Sequence, residues 1–348
     1  MSRFWMALVA ALALMGSARA DDVADFYKGK QITIVLGYGP GGGYDIYARL
    51  VAQHFGKYVP GNPSVVVQNM PGAGSLRAAN YIYTSAPKNG LFIGSFGRDI
   101  PLMAVLGHNS AVQFDPAKFT WLGSPSTYAD DAYLLWSRDD APVKSIAEAQ
   151  KKGGPPLVVG ATGEGSTDND VTVLLTEVLG LNVKLVAGYP DSPSISIAME
   201  RKELDAHFLG LSATNGERPQ WLKPGSGFHV ILQFARRTRL PQFPDAPTAR
   251  ELATNDRGLA LIDLAEMPYT LSRPFVAPPG LPEDRARALQ KAFMDLHKDA
   301  QYLADAAKLK IDISPIGGLD AAALVDRLSK APPEILDHMR KLHAESKG

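Results

Sequence analysis

Residues Ile32–Arg49 read ITIVLGYGPGGGYDIYAR. The β-branched opening predicts a strand and the glycine-rich middle a tight turn. Ile46, Leu50, Val51 and Phe55 then share one face of a helix over 45–58. Glycines let the backbone bring its N–H groups close to a ligand, and the helix that follows directs its positive end at the same spot. The product is an anion cradle. Gly37-x-Gly39-x-x-Gly42 also fits the dinucleotide fingerprint, but that fingerprint needs an acidic residue where the second strand ends. Here it ends in Gln68-Asn69. A purely structural turn is the other alternative.

The same device recurs along the chain. Asn69–Ser75, NMPGAGS, follows the second strand and leads into a helix beginning near Leu76, with Ser75 as a ligand contact or a helix cap. Leu157–Thr167, LVVGATGEGST, precedes an amphipathic helix carrying Val171, Leu174, Leu175 and Val178, with Gly180 as its stop. Ser166 and Thr167 either cap that helix or donate to an anion. Further strands are expected at 91–95, 183–187, 206–209 and 229–234. Strands alternating with helices argue for parallel sheets covered by helices. A polar, Gly- and Pro-rich break at Arg138–Pro156 separates two such series, which predicts two α/β lobes and a ligand clamped between them.

Composition agrees. The chain has 348 residues, 36 Lys+Arg against 36 Asp+Glu, 45% hydrophobic residues and no cysteine. Single cores stop growing near roughly 250 to 300 residues, so two domains are expected. Zero formal charge argues against nucleic-acid binding, which requires a basic excess. The absence of cysteine excludes a disulfide framework, a thiol nucleophile and a thiolate zinc site. Residues 1–20 have an early cation at Arg3, an apolar stretch and Ala18-Arg19-Ala20, the pattern of a signal peptide cleaved after Ala20. The apolar run is shorter than the about 20 residues a membrane span needs. A soluble, exported protein is expected.

The motifs PGGGYDIYAR, QNMPGAGS, GATGEGST, RRTRLPQFPDAPTARELA and FVAPPGLPED, in this order and spacing, resemble the tripartite tricarboxylate transporter receptors, the TctC or Bug solute-binding proteins. The resemblance covers essentially the whole chain after residue 20. It implies a periplasmic binding protein type II-like fold, two α/β lobes around a cleft in the manner of a Venus flytrap. Lobe 1 is placed at 21–125 plus 241–348 and lobe 2 at 126–240. It further implies a periplasmic monomer without cofactor or metal, which binds a small organic carboxylate and hands it to a membrane permease.

The ligand-binding residues implied are Gly41, Gly42, Gly43, Tyr44 and Asp45; Gly72, Ala73, Gly74 and Ser75; and Gly163, Gly165, Ser166 and Thr167. Asp205 falls where the family has an acidic residue facing the cleft. Two departures bear on ligand identity. Asp170 stands where the family commonly has His, and Ala-Gly-Tyr189-Pro-Asp-Ser replaces its Val-Pro-Tyr-x-Gly run. Arg98, in GSFGRD, either pairs with a second carboxylate or is solvated or paired with Asp99.

The rival reading is an exported α/β hydrolase using Ser166. No G-x-S-x-G elbow occurs, and none of the seven histidines shows triad or metal spacing. Asp168-Asn-Asp170 lacks the alternating oxygen ligands of a calcium loop and is read as first-turn acids of a helix.

Overall fold

The computed structural model describes residues 22–128 and 131–345; the signal peptide expected at 1–20 lies outside them. The strands are β1 (Gln31–Leu36), β2 (Ser64–Asn69), β3 (Phe92–Ser95), β4 (Thr120–Ser124), β5 (Tyr133–Arg138), β6 (Leu157–Ala161), β7 (Val183–Ala187), β8 (Ala206–Gly210), β9 (Phe228–Phe234), β10 (Phe275–Ala277) and β11 (Ile316–Gly317). They form two sheets. One has the order β11-β4-β10-β3-β1-β2, and the other has the order β7-β6-β8-β5-β9. The chain thus enters the second sheet after β4 and returns to the first at β10.

Each sheet is parallel where strand and helix alternate and antiparallel where the chain crosses between lobes. β1 pairs in parallel with β2 and β3, whereas β10 runs antiparallel to β3 and β4. In the second sheet β6 pairs in parallel with β7 and β8, and β5 is antiparallel to β8 and β9. The strands expected from periodicity all form. β4, β5, β10 and β11 were not expected, although Tyr133–Arg138 is buried along its whole length. A strand covered on both faces reads as a continuous apolar run and has no alternation to detect.

Register sets the functional edge. Leu36 pairs with Asn69 on one side and with Ser95 on the other, so the turns after β1, β2 and β3 leave the sheet side by side. Open α/β sheets bind ligands outside such carboxyl ends. The helix Gly43–Phe55 buries Tyr47, Leu50, Val51 and Phe55 against Ile32 and Ile34. Each such side chain contributes about 1.5–3 kcal/mol by leaving water. The helix Thr167–Leu179 buries Val171, Leu174 and Leu175 over β6 and β8 and ends at Gly180, whose φ of 64° is the left-handed stop. The C-terminal helix Pro333–Glu345 places Leu336, Met339 and Leu342 in this same cluster. The end of the chain therefore packs on the second lobe's helix layer, not on the first sheet.

Candidate ligand-binding cleft

The two lobes meet along the glycine turns, and the contacts explain why glycine is required there. A Cβ on Gly43 would lie 2.9 Å from Ala213 Cβ, and one on Gly42 would lie 2.8 Å from Ser192 Oγ. Gly74 has φ +58°, and a Cβ there would stand 2.5 Å from the Glu164 carbonyl oxygen. Gly39 N–H reaches across to the Pro190 carbonyl at 3.4 Å. The lobes are closed on each other.

Between them lies a cavity of about 60 Å³. Tyr38 and Tyr44, stacked at 4.6 Å, form one wall. Tyr128, Tyr133 and Phe208 form another, and Gly42, Gly43 and Thr167 reach its edge. A second hollow of about 350 Å³ is lined by Gly72, Ala73, Gly74 and Ser75 on one side and by Gly163, Gly188 and Tyr189 on the other. Tyr38 and Thr162 line both. The residues expected to surround one ligand are thus divided between two adjoining spaces.

Arg98 occupies the centre of the tyrosine wall. Its guanidinium lies 4.6 Å from the Tyr128 ring, 4.7 Å from Tyr269, and 5.6 Å from both Tyr44 and Tyr133. It is 3% exposed, its Nε donates to the Ser272 carbonyl at 3.0 Å, and Nη1 has no partner. Arg98 is therefore neither solvated nor paired with Asp99, the alternatives considered above. Cation–π contacts compensate burial only in part. Nη1 is thus a buried donor without a partner on a residue that lines the cavity.

Arg273, which the sequence analysis did not single out, lines the same cavity. It stacks over Tyr47 at 4.2 Å, donates through Nη1 to Ser126 Oγ and Ser272 Oγ, and lies 3.8 Å from Asp131. The only local signal was a cation just before an apolar strand in SRPFVA. His207 also lines the cavity. Burial lowers its pKa to about 3, so the imidazole is neutral, and neither ring nitrogen has a hydrogen-bond partner.

Several expected ligand contacts have other tasks. Asp45 accepts from Gly41 N–H at 2.9 Å, Arg49 Nε at 2.7 Å and Asn69 Nδ2 at 3.1 Å. Burial alone would raise its pKa, but Arg49, Gly41 and Asn69 outweigh it and hold the carboxyl below the usual range. Asp45 therefore ties the first turn to the second. In the second lobe, Thr162 donates to Asp168 through both N–H and Oγ1, each at 2.9 Å. Gly163 N–H donates to Ser166 Oγ at 3.1 Å, and Gly165 N–H to Asp170 at 3.0 Å. Ser166 Oγ lies in hydrogen-bond reach of both the Gly163 carbonyl and Asp168, which share its one proton. The expected second-lobe amide cradle is satisfied by the chain's own side chains. Gly165 packs against Met103 rather than facing the cavity.

Asp205 is a correction. Arg138 Nη2 donates to it at 2.9 Å and Val158 N–H at 3.1 Å. It precedes β8, whose far end at Gly210 meets the cavity; five residues of strand span about 16 Å. Asp205 lines neither hollow.

Among the described residues, no group of three or more His, Cys, Asp or Glu is placed to hold a metal ion, and no helix is long and apolar enough to cross a membrane.

No family model matches the chain. Among curated relatives, a UPF0065 protein of Bordetella pertussis is 24% identical over 287 residues, covering 82% of this chain and 81% of its own length. A second UPF0065 protein, from Cupriavidus necator, is 27% identical over 314 residues, covering 88% and 87%. Among solved structures, the periplasmic binding protein BugD superposes with a TM-score of 0.72 at 18% identity, over 91% of this chain and 98% of its own. The Rhodopseudomonas palustris protein Rpa4515 with adipate gives 0.69 at 19% identity, over 90% and 97%. MatC from the same organism with bound malate gives 0.66 at 19% identity, over 90% and 99%. The chain carries the fold of the Bug and TctC periplasmic solute-binding proteins and is a sequence relative of the UPF0065 proteins, which bears out the resemblance read from its motifs.

Proposed function

We propose that this protein is a periplasmic receptor, acting as a monomer, that closes its two lobes over a small organic carboxylate and delivers it to a permease of the tripartite tricarboxylate type. The observation that carries the reading is Arg98, a buried guanidinium with an open Nη1 beside an interlobe cavity. A buried charge left without a counter-ion costs several kcal/mol, and a ligand carboxylate supplies that counter-ion. Gly42, Gly43 and Thr167 reach the same cavity from opposite lobes. A ligand touching both favours the closed form by that difference in contacts. The neighbours that hold malate and adipate support a carboxylate as the ligand class.

No covalent chemistry is part of this function. Ser166 Oγ is engaged by a carbonyl and a carboxylate, where a serine nucleophile needs a positioned base such as histidine or lysine. The test is a thermal-shift screen over mono-, di- and tricarboxylates, sugars and amines. Carboxylates should raise the melting temperature and the others should not. A response confined to sugars or cations would remove the assignment.

A further inference from the structure

The charges around the cavity restrict the ligand beyond its class. Arg273 has a carboxylate neighbour, Asp131, at 3.8 Å. Arg98 forms no ion pair with any described residue: its Nε donates to a carbonyl and its guanidinium is surrounded by tyrosine rings. Among the described residues that line the cavity, Arg98 is the cation without an ion-pair partner. Two acids also line it, Asp168 and Asp191. Asp168 is held by Thr162, Ser166 and Asn169, and Asp191 accepts from Ser194 N–H at 2.9 Å. Both are held in place at the cavity wall; burial pushes the Asp168 carboxyl up, against the donors that hold it. A second ligand carboxylate would meet these acids without a free cation to balance it.

Size and polarity add two further restrictions. A volume of about 60 Å³ suits a compact molecule. His207 lines the space with two unpartnered ring nitrogens, one a donor and the other an acceptor in the neutral imidazole. A ligand hydroxyl can meet one of these nitrogens, as donor or as acceptor. Resting on the carboxylate-receptor reading above, we infer that the cavity selects a compact hydroxy acid with one anionic group, the carboxylate held by Arg98 and the hydroxyl by His207.

3-Hydroxybutyrate and malate test this directly, since they share four carbons and a hydroxyl and differ in a methyl against a second carboxylate. Calorimetric titration of the full unmodified protein should show 3-hydroxybutyrate binding at least about a hundredfold more tightly than malate. Butyrate, which lacks the hydroxyl, should bind about tenfold more weakly than 3-hydroxybutyrate. His207→Phe should erase that second difference while leaving butyrate binding in place. Malate binding as tightly as or more tightly than 3-hydroxybutyrate overturns the single-anion inference and leaves the carboxylate receptor standing. Equal binding of butyrate and 3-hydroxybutyrate by the unmodified protein overturns the role of His207. No response to any mono-, di- or tricarboxylate sinks both readings.

Discussion

Arg98 illustrates how one side chain can be costly to the fold and necessary to the site. Its guanidinium is enclosed by Tyr44, Tyr128, Tyr133 and Tyr269 with one carbonyl partner, and replacing a buried ion by a fitted apolar group is often neutral or stabilising. Arg98→Met should therefore keep or raise the melting temperature and lower carboxylate affinity by about a hundredfold or more, read by titration calorimetry. Asp99 shows a second residue-level effect. Burial first, and then the charge of Asp170, push its carboxyl up to about 7 from 3.8, against opposing contributions of Thr167 and Arg98. Below the lower value both folded and unfolded chains are protonated. Between the two the folded chain holds the proton longer, so this stabilising contribution is lost as pH rises toward about 7. His207 and His297, lowered by burial to about 3 and about 4, act oppositely as pH falls below 6.5. The comparison with Asp99→Asn isolates the acid: relative to that variant, the unmodified protein should lose stability between about pH 4 and pH 7 in urea titrations. A pH slope unchanged by the substitution would remove Asp99 from this role.

Among the elements, the helices are ended by local side-chain chemistry that could be recognised from spacing. Thr248 accepts from Glu251 N–H at 3.2 Å while Glu251 returns a bond to Thr248 N–H at 3.3 Å, closing a capping box at the helix Ala249–Leu252. Thr248→Ala should cost about 1 kcal/mol of stability by urea denaturation, without altering ligand affinity, because no residue of that helix lines the cavity. The strands divide differently. β1 and β6 have β-branched residues before a glycine turn and were legible. β5, buried on both faces, and β10, with only three residues, carry no periodic signal, yet they complete the antiparallel pairing through which the chain passes between lobes.

For the molecule as a whole, closure depends on surfaces without side chains. Gly43 and Gly74 lie where the first lobe meets Ala213 and Glu164 of the second. Gly43→Val places a branched side chain where a single Cβ already comes within 2.9 Å of Ala213. The variant should keep both lobes folded, show a larger radius of gyration in solution scattering with ligand present, and bind carboxylates more weakly. Ligand-induced compaction equal to that of the unmodified protein would show that this contact does not control closure. The C-terminal helix reaches the second lobe through Leu336, Met339 and Leu342, so the chain bridges the lobes by packing as well as by its crossing strands.

From sequence alone came what depends on near neighbours: the strand, glycine turn and helix units, their repetition in two series, and the positions where backbone must approach backbone. These follow from side-chain period and from the conformational freedom of glycine, both local properties. Tertiary structure alone decided which of those amides remain available. Asp45, Ser166, Asp168 and Asp170 engage the turns around them, and whether a donor is satisfied depends on the side chains folded against it. It also brought Arg98 and Arg273, far apart in the chain, to the same cavity and gave Arg273, but not Arg98, an ion-pair partner among the described residues. The environment of a buried charge is the sum of its contacts across the fold, and no spacing along the chain encodes that sum.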